Sequence, residues 1–146
     1  MTACNGLNVP LDKSVKLVST ASTAGLPAAA ALNGDDTTRY QSIVGKLMYA
    51  MIAIRLDLAF AVSTLVRFNA GPNTTHHEAA KKTLRYLRKS PNVGLAFGPT
   101  PSGAPIAATT ACNELIGFCD SDWAGDLDSR RSTTGYAFML SNGPNS

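Results

Sequence analysis

The sequence predicts an α+β fold, in which a local bundle of three helices is followed by a short antiparallel β segment. Between residues 40 and 89, apolar side chains recur at steps of three and four, which is the period of an amphipathic helix. From residue 115 onwards, two short apolar runs are separated by an acidic turn, a pattern typical of a β hairpin. Because short connections join the helices, we expect them to pack together.

Each predicted helix has its own start signal. The three helices are expected over residues 40–53, 57–68 and 76–89. Thr37 or Thr38 can cap the first helix, and Asp57 is placed to cap the second. Thr75 followed by Glu78 has the spacing of a capping box for the third. Gly–Pro and Pro steps end the second and third helices.

The chain divides by pattern into three predicted regions. Residues 1–38 have little periodicity and many Ser, Thr, Ala, Gly and Pro residues, which predicts a flexible lead-in. Residues 39–91 form the helical region, and residues 92–146 form the β region. At the start of this last region, Val93, Leu95 and Phe97 alternate with small residues, which predicts a further strand.

Composition and charge limit the classes of protein to which the chain can belong. With 146 residues, of which 45% are hydrophobic and 16% charged, the chain can bury a core and does not have a disordered composition. Residues 39–89 contain nine Lys or Arg and two acids, a net charge of +7. Residues 112–131 contain five acids and two Arg, a net charge of −3. This asymmetry suggests a polyanionic partner for the first stretch and a metal site in the second.

The cysteines and the apolar segments predict the absence of several features. Cys4, Cys112 and Cys119 are an odd set without CxxC spacing, so neither a zinc cluster nor a disulfide framework is expected. Cys119 falls inside a strand pattern and is expected to be a buried small residue. No signal-peptide pattern and no apolar run of the ~20 residues that a membrane span needs is present. The chain is expected to be intracellular, cytoplasmic or nuclear, without membrane contact.

The third helix contains the candidate binding residues. Its cations follow one another closely along the helix and are Lys81, Lys82, Arg85, Arg88 and Lys89. Four of them share one face, which suits a phosphate backbone, but a solvated basic face is an equally common arrangement. Tyr86 is expected to pack rather than to stack on a base. The adjacent His76 and His77 diverge by about 100° around the helix, so they cannot hold one ion together.

The acidic turn contains the candidate catalytic residue. Asp120 ends an apolar strand, and Asp122, Asp126 and Asp128 follow within nine positions. Carboxylates at a strand end can hold a divalent cation, so Asp120 is the catalytic candidate and Asp120 with Asp122 the candidate Mg²⁺ ligands. The alternative is an ordinary hairpin turn, because Asp, Gly and Ser also favour turns for backbone reasons alone.

Three segments in order resemble copia-type LTR retrotransposon polyproteins. They are YQSIVGKLMYAMIAIRLDLAFAVSTLVRF at 40–68, HHEAAKKTLRYLRKSPNVGLAF at 76–97 and GFCDSDWAGDLDSRRSTTGYAFML at 117–140. The resemblance covers residues 40 to 140 in the family's order and spacing. It implies that the helices belong to the thumb and connection region of a reverse transcriptase, and that the hairpin starts a truncated ribonuclease H-like sheet. The family's metal-binding acid at the end of the first strand matches Asp120.

The chain also departs from the family pattern. The Tyr-x-Asp-Asp motif of the polymerase and the later acids of ribonuclease H are absent, and the usual Thr-Arg-Pro-Asp is Ile54-Arg55-Leu56-Asp57 here. The expected function is therefore that of a fragment or degenerate copy that binds an RNA–DNA hybrid or duplex DNA without complete active sites. Two alternatives remain. One is a Mg²⁺-dependent nuclease that takes further acids from elsewhere, and the other is a non-catalytic interaction module that self-associates through an open sheet edge.

Overall fold

The structure is a computed structural model that describes residues 5–12, 14–19, 29–95 and 115–140, and the backbone of 143–145. The chain forms two compact units, residues 1–93 and residues 94–146. The first unit contains the helices and the second contains the strands, so the α+β class predicted from the sequence is confirmed. None of the helices in the described ranges combines the length and the apolar character needed to cross a membrane.

The described part of the helical unit contains three α-helices and one short 3-10 turn. These are α1 (Gly34–Ala53), the 3-10 turn (Leu56–Leu58), α2 (Ala59–Val66) and α3 (Thr74–Lys89). Each helix contributes apolar side chains to one core, whose buried members are Leu11, Leu17, Tyr40, Val44, Leu47, Leu58, Ala61, Val62, Leu65, Phe68, Ala79 and Ala80. Tyr40 is fully buried, and its hydroxyl donates to the Leu65 carbonyl at 2.7 Å. Burial raises the pKa of Tyr40, so its phenol stays neutral.

Asparagines, rather than the predicted threonines, cap α1 and α3. Asn33 Oδ1 accepts from the Asp36 amide at 2.7 Å, so α1 begins six residues before the predicted start, and the proposed caps Thr37 and Thr38 lie inside the helix. The reason is that a strong N-cap residue precedes a polar first turn, which apolar periodicity cannot detect. Asn73 similarly caps α3.

The cap of α3 also joins the starts of two helices. Asn73 Oδ1 accepts from the His76 amide at 3.1 Å, and the Asn73 amide donates to His76 Nδ1 at 3.1 Å. His76 therefore takes the reciprocal role that the sequence assigned to Glu78. His76 is fully buried and stacks on Phe68, with 3.9 Å between the ring centroids. A β-bridge between Ala31 and Asn73 holds the N-termini of α1 and α3 side by side.

The segment between α1 and α2 is held by an arginine. Arg55 is only 4% exposed and donates to both carboxylate oxygens of Asp57, at 2.9 Å from Nε and 2.8 Å from Nη2. It also donates to the carbonyl and the hydroxyl of Ser90, at 2.7 and 2.9 Å. Asp57 accepts in addition from the Tyr86 hydroxyl at 2.7 Å. Asp57 thus pairs with Arg55 instead of capping α2, and the α-helix begins at Ala59.

Part of the lead-in packs against the helices. Leu11 and Leu17 are each only 8% exposed and belong to the helical core. Thr83 of α3 donates from its hydroxyl to the Pro10 carbonyl at 3.1 Å, and Asn73 donates from its side chain to the Val18 carbonyl at 3.4 Å. The described part of the lead-in therefore packs on the helical unit in two ways. It buries apolar side chains in the core, and its backbone carbonyls accept hydrogen bonds from the helices.

The second unit contains an antiparallel sheet in the order β1 (Ile116–Ser121), β2 (Thr134–Leu140) and β3 (Gly143–Asn145). The predicted hairpin is confirmed, with Ile116 opposite Met139 and Asp120 opposite Gly135. The third strand was not predicted from the sequence. Most side chains of β1 and β2 are exposed.

Two predictions for the β region were wrong. Cys119 is an exposed free cysteine rather than a buried residue, because the sheet face that it shares with Tyr136 is open within this unit. Residues 93–95 are not part of a strand, since alternation alone supplies no pairing partner for their backbone. Phe97 lies outside the described residues.

Arg55→Ala is expected to lower the free energy of unfolding of the helical unit by about 2–3 kcal/mol. Losing one partner of a buried pair costs about 3–5 kcal/mol, but the Asp57 side chain is 29% exposed and water can partly replace Arg55. Urea unfolding followed by far-ultraviolet circular dichroism measures the change. The control is Arg39→Ala, since the Arg39 side chain is 76% exposed, and its change should stay within about 0.5 kcal/mol. Equal losses in both variants would contradict a structural role for Arg55.

Asp57 should make the helical unit sensitive to acid. Hydrogen bonds from Arg55 lower the pKa of Asp57 below its ordinary value. A lowered folded-state pKa contributes stability that is complete above roughly pH 4 and is lost as the pH falls through the folded-state value. We expect Asp57→Asn to be less stable than the parent by about 1–2 kcal/mol at pH 7, and the difference should shrink as the pH falls below about 4. Urea titrations from pH 3 to 7 test this. The control Asp120→Asn, in the other unit, should leave helical unfolding unchanged at every pH.

Candidate nucleic-acid interface and acidic hairpin

Helix α3 has a buried side and a basic side. His76, Ala79, Ala80 and Thr83 are buried against the rest of the helical unit. Of the five predicted nucleic-acid contacts, four are exposed and one is half-buried: Lys81, Lys82, Arg88 and Lys89 are exposed, and Arg85 is half-buried. The structure therefore keeps these cations on the solvent side of one rigid helix, as the spacing predicts.

Acids accompany only part of this basic side. Lys81 forms an ion pair with Glu78 at 3.0 Å, and the hydrogen bond from Lys81 lowers the pKa of Glu78. Asp12, in the lead-in, lies near Lys82. The pKa of Asp12 is lowered first by hydrogen bonds from Ser14 and to a smaller extent by Lys82. With nine cations and two acids between residues 39 and 89, the unit keeps a large positive excess.

Arg85 and Lys89 form hydrogen bonds with described residues of the lead-in. Arg85 Nε donates to the Asn5 carbonyl at 2.7 Å, and Lys89 Nζ donates to Asn8 Oδ1 at 2.5 Å. Gly6 lies against the aliphatic stem of Lys89, and a Cβ added at Gly6 would come within 2.6 Å of Lys89 Cβ. These contacts could not be predicted from the sequence, because they join residues that are about 80 positions apart.

The basic surface continues onto α1. A groove between α1 and α3 is lined by Arg39 and Lys46 on one side and by His77 and Lys81 on the other. Arg39 is close to Asp36, at 3.8 Å, in an exposed pair that contributes little to stability. Neither α1 cation was singled out from the sequence. Their only signal was the overall charge of +7, which does not identify a surface.

Tyr86 has a structural role, as expected. Its hydroxyl donates to Asp57 Oδ2, and Arg55 lies over its ring at 5.5 Å from the centroid. The cluster formed by Arg55, Asp57, Tyr86 and Ser90 was not predicted from the sequence. Its detectable signal was an Arg-x-Asp spacing just before a helix, which suits a local ion pair.

The acidic turn is organised mainly by its own backbone. Asp122 and Thr133 close the loop, since the Asp122 amide donates to the Thr133 carbonyl at 3.0 Å and the Thr133 amide donates to Asp122 Oδ1. Asp126 accepts from the Asp128 amide at 3.0 Å and from the Ser129 hydroxyl. Such side-chain bonds to nearby backbone amides are typical of turns.

The predicted Mg²⁺ ligands Asp120 and Asp122 lie at the end of β1 and just after it. Asp120 is exposed in β1, and Asp122 Oδ1 accepts from the Thr133 amide. Among the described residues, no three His, Cys, Asp or Glu side chains lie close enough to hold one ion. Mg²⁺ is commonly bound through one or two carboxylates, with water and substrate phosphates as the other ligands. The assignment of Asp120 and Asp122 as ligands stays a prediction.

Comparisons with known proteins find relatives among retrotransposon polyproteins. The chain is 45% identical over 104 residues to the retrovirus-related Pol polyprotein from transposon TNT 1-94 of Nicotiana tabacum, covering 71% of this chain and 7% of that protein. It is 46% identical over 104 residues to the secreted RxLR effector protein 161 of Plasmopara viticola, covering 71% of this chain and 66% of that protein. An uncharacterized mitochondrial protein of Arabidopsis thaliana is 34% identical over 93 residues, covering 64% of this chain and 74% of that protein.

These relatives support a retrotransposon polyprotein as the class of protein. The chain belongs to the family that contains the retrovirus-related Pol polyproteins of transposons and their shorter homologues. It spans a small part of the polyproteins and about two thirds of the effector protein. No family model matches the chain, and no solved structure does.

Gly125→Ala should loosen the base of the acidic loop. A Cβ at Gly125 would overlap the Asp122 carboxylate, so Asp122 must turn away and its bond to the Thr133 amide is lost. The loss of one hydrogen bond, about 1 kcal/mol, corresponds to about fivefold faster exchange of the Thr133 amide hydrogen by NMR. Gly135→Ala is the matched control, because its Cβ would meet only the Asp120 carbonyl at 4.0 Å. Unchanged exchange in Gly125→Ala would contradict the closing role of Asp122.

Proposed function

We propose that the chain is a nucleic-acid-binding segment of a copia-type reverse transcriptase and ribonuclease H polyprotein, or a degenerate copy of one. In this proposal the helical unit grips the sugar–phosphate backbone of an RNA–DNA hybrid or a DNA duplex. The observation that carries it is the exposed basic side of α3, on which Lys81, Lys82 and Arg88 face solvent from a helix whose other side is locked in the core.

Electrostatics favours a polyanion as the partner. A net charge of +7 within 51 residues creates a positive surface that attracts phosphates from a distance. Arg39 and Lys46 of α1 line the groove beside Lys81, which widens the surface beyond a single helix. A rigid arrangement of this kind positions a duplex through its backbone and does not read the bases.

The hairpin supports the ribonuclease H part of the proposal. Asp120 lies in the next-to-last pair of the β1–β2 ladder, beside the acidic loop, where the resemblance expects a metal-binding acid. In the intact polyprotein we propose that Asp120 binds Mg²⁺ together with carboxylates from other parts of the protein. A bound Mg²⁺ would polarise a phosphodiester. Asp122 is the weaker candidate ligand, because one of its oxygens already closes the loop.

A protein-interaction role is the second candidate, and one feature of α1 favours it. Tyr49, Ile52 and Ile54 are 78%, 71% and 58% exposed near the C-terminal end of this helix. Apolar side chains grouped on a helix surface are typical of positions that contact another protein surface. This role is compatible with nucleic-acid binding, because these side chains do not line the groove beside Lys81.

The binding proposal predicts a strong dependence on salt. The triple variant Lys81→Gln, Lys82→Gln and Arg88→Gln should reduce the slope of log K against log salt concentration by about 0.9 for each lost phosphate contact, or about 2.7 in all. Fluorescence anisotropy with a labelled RNA–DNA hybrid, from 50 to 200 mM salt, measures the slope.

A matched triple variant separates specific contacts from net charge. Lys16→Gln, Arg130→Gln and Arg131→Gln removes the same charge from positions outside the helical basic side, and its slope should stay close to that of the parent. An equal decrease of the slope in both triple variants would show that binding depends on net charge and not on contacts at Lys81, Lys82 and Arg88. No salt-dependent binding by the parent would overturn the proposal.

A further inference from the structure

The basic side of α3 is divided by the lead-in. Residues 5–11, here called the strap, run along the C-terminal half of α3, where they contact Arg85 and Lys89. Lys81 and Lys82 are exposed, and Lys81 pairs with Glu78 rather than with the strap. Arg85 and Lys89, both proposed phosphate contacts, are therefore occupied by the same chain.

The strap uses the donors that a phosphate would need. Arg85 Nε points to the Asn5 carbonyl oxygen, and Lys89 Nζ points to the Asn8 amide oxygen. Both acceptors are neutral. A phosphate oxygen is ionised, and charge-assisted hydrogen bonds to it are shorter and about twice as strong. A nucleic-acid strand can thus compete with the strap for both side chains.

The two ends of the strap are held differently. At one end, Leu11 is only 8% exposed and packs in the helical core, and the Pro10 carbonyl accepts from Thr83 at 3.1 Å. At the other end, Asn5, Gly6 and Asn8 are exposed and touch α3 mainly through polar contacts. Segments with few buried apolar contacts open at low cost in free energy. The buried end is an anchor, and the exposed end can be displaced without unfolding the unit.

We propose that the strap is an autoinhibitory element that occupies Arg85 and Lys89 and must be displaced before nucleic acid engages the whole basic side of α3. This inference rests on the proposed nucleic-acid binding and adds a regulatory step to the same surface. With the strap in place, Arg85 and Lys89 are withheld from phosphates. Displacement adds two cations to the interface.

A single methyl group can displace the strap in the full chain. In Gly6→Ala, the added Cβ would lie 2.6 Å from Lys89 Cβ and 3.0 Å from Lys89 Cγ and Cδ, so the strap must move away from the helix. Gly71→Ala is the matched control, since a Cβ there meets nothing within 4 Å. Neither glycine belongs to the proposed binding residues.

The expected result is a larger salt dependence in Gly6→Ala. Two additional phosphate contacts should steepen the slope of log K against log salt concentration by about 1.4–1.8, with tighter binding of the labelled hybrid at 50 mM salt. Gly71→Ala should match the parent. Adding Arg85→Gln and Lys89→Gln to Gly6→Ala should return the slope to the parent value, because the released cations are then absent.

The strap is tested independently of the binding surface by a second variant. Asn8→Ala removes the acceptor of Lys89 without adding bulk, and it should steepen the slope by about half as much as Gly6→Ala. Parent-like slopes in both variants would overturn autoinhibition while leaving the binding proposal intact. No binding by the parent or by either variant would overturn both. Weaker binding in Gly6→Ala, at unchanged urea midpoint, would show that the strap helps to hold nucleic acid and would also overturn autoinhibition.

Discussion

The helical unit depends on the buried ion pair between Arg55 and Asp57. Arg55 arrives at the C-terminal end of α1, and its guanidinium reaches Asp57 before α2 and Ser90 after α3. One side chain therefore fixes the turn between two helices and the end of a third. A buried charge is costly without partners, and here all three guanidinium nitrogens donate hydrogen bonds. The Arg-x-Asp spacing of the family resemblance thus has a structural meaning in this chain.

That cluster and the asparagine cap at the opposite end of α3 together orient the basic side. Asn73 and His76 secure the first turn, where Asn73 also bridges to Ala31. Ser90 secures the last turn through Arg55. With both ends fixed and one side buried, α3 has no freedom to rotate its cations inward. The basic surface therefore depends on how α3 is packed as well as on its composition. The buried side of α3 keeps this highly charged helix in the folded unit.

The similarity to retrotransposon polyproteins covers a small part of those proteins. The matched segment makes up only 7% of the Nicotiana polyprotein, so most of that polyprotein lies outside the similarity. Most side chains of β1 and β2, and several apolar side chains near the C-terminal end of α1, are exposed. By contrast, the core of the helical unit is complete enough to bury Tyr40, Leu47 and Leu65 almost fully.

The sequence alone determined the α+β class, the existence of three helices and the hairpin, because these follow from the periodicity of apolar residues and from turn chemistry. It also identified the basic side of α3. Only the tertiary structure decided the caps at Asn33 and Asn73, the pairing of Arg55 with Asp57, the exposure of Cys119 and the contact of the strap with Arg85 and Lys89. Each of these depends on which groups come into contact in the folded chain, and the periodicity of the sequence does not identify such contacts.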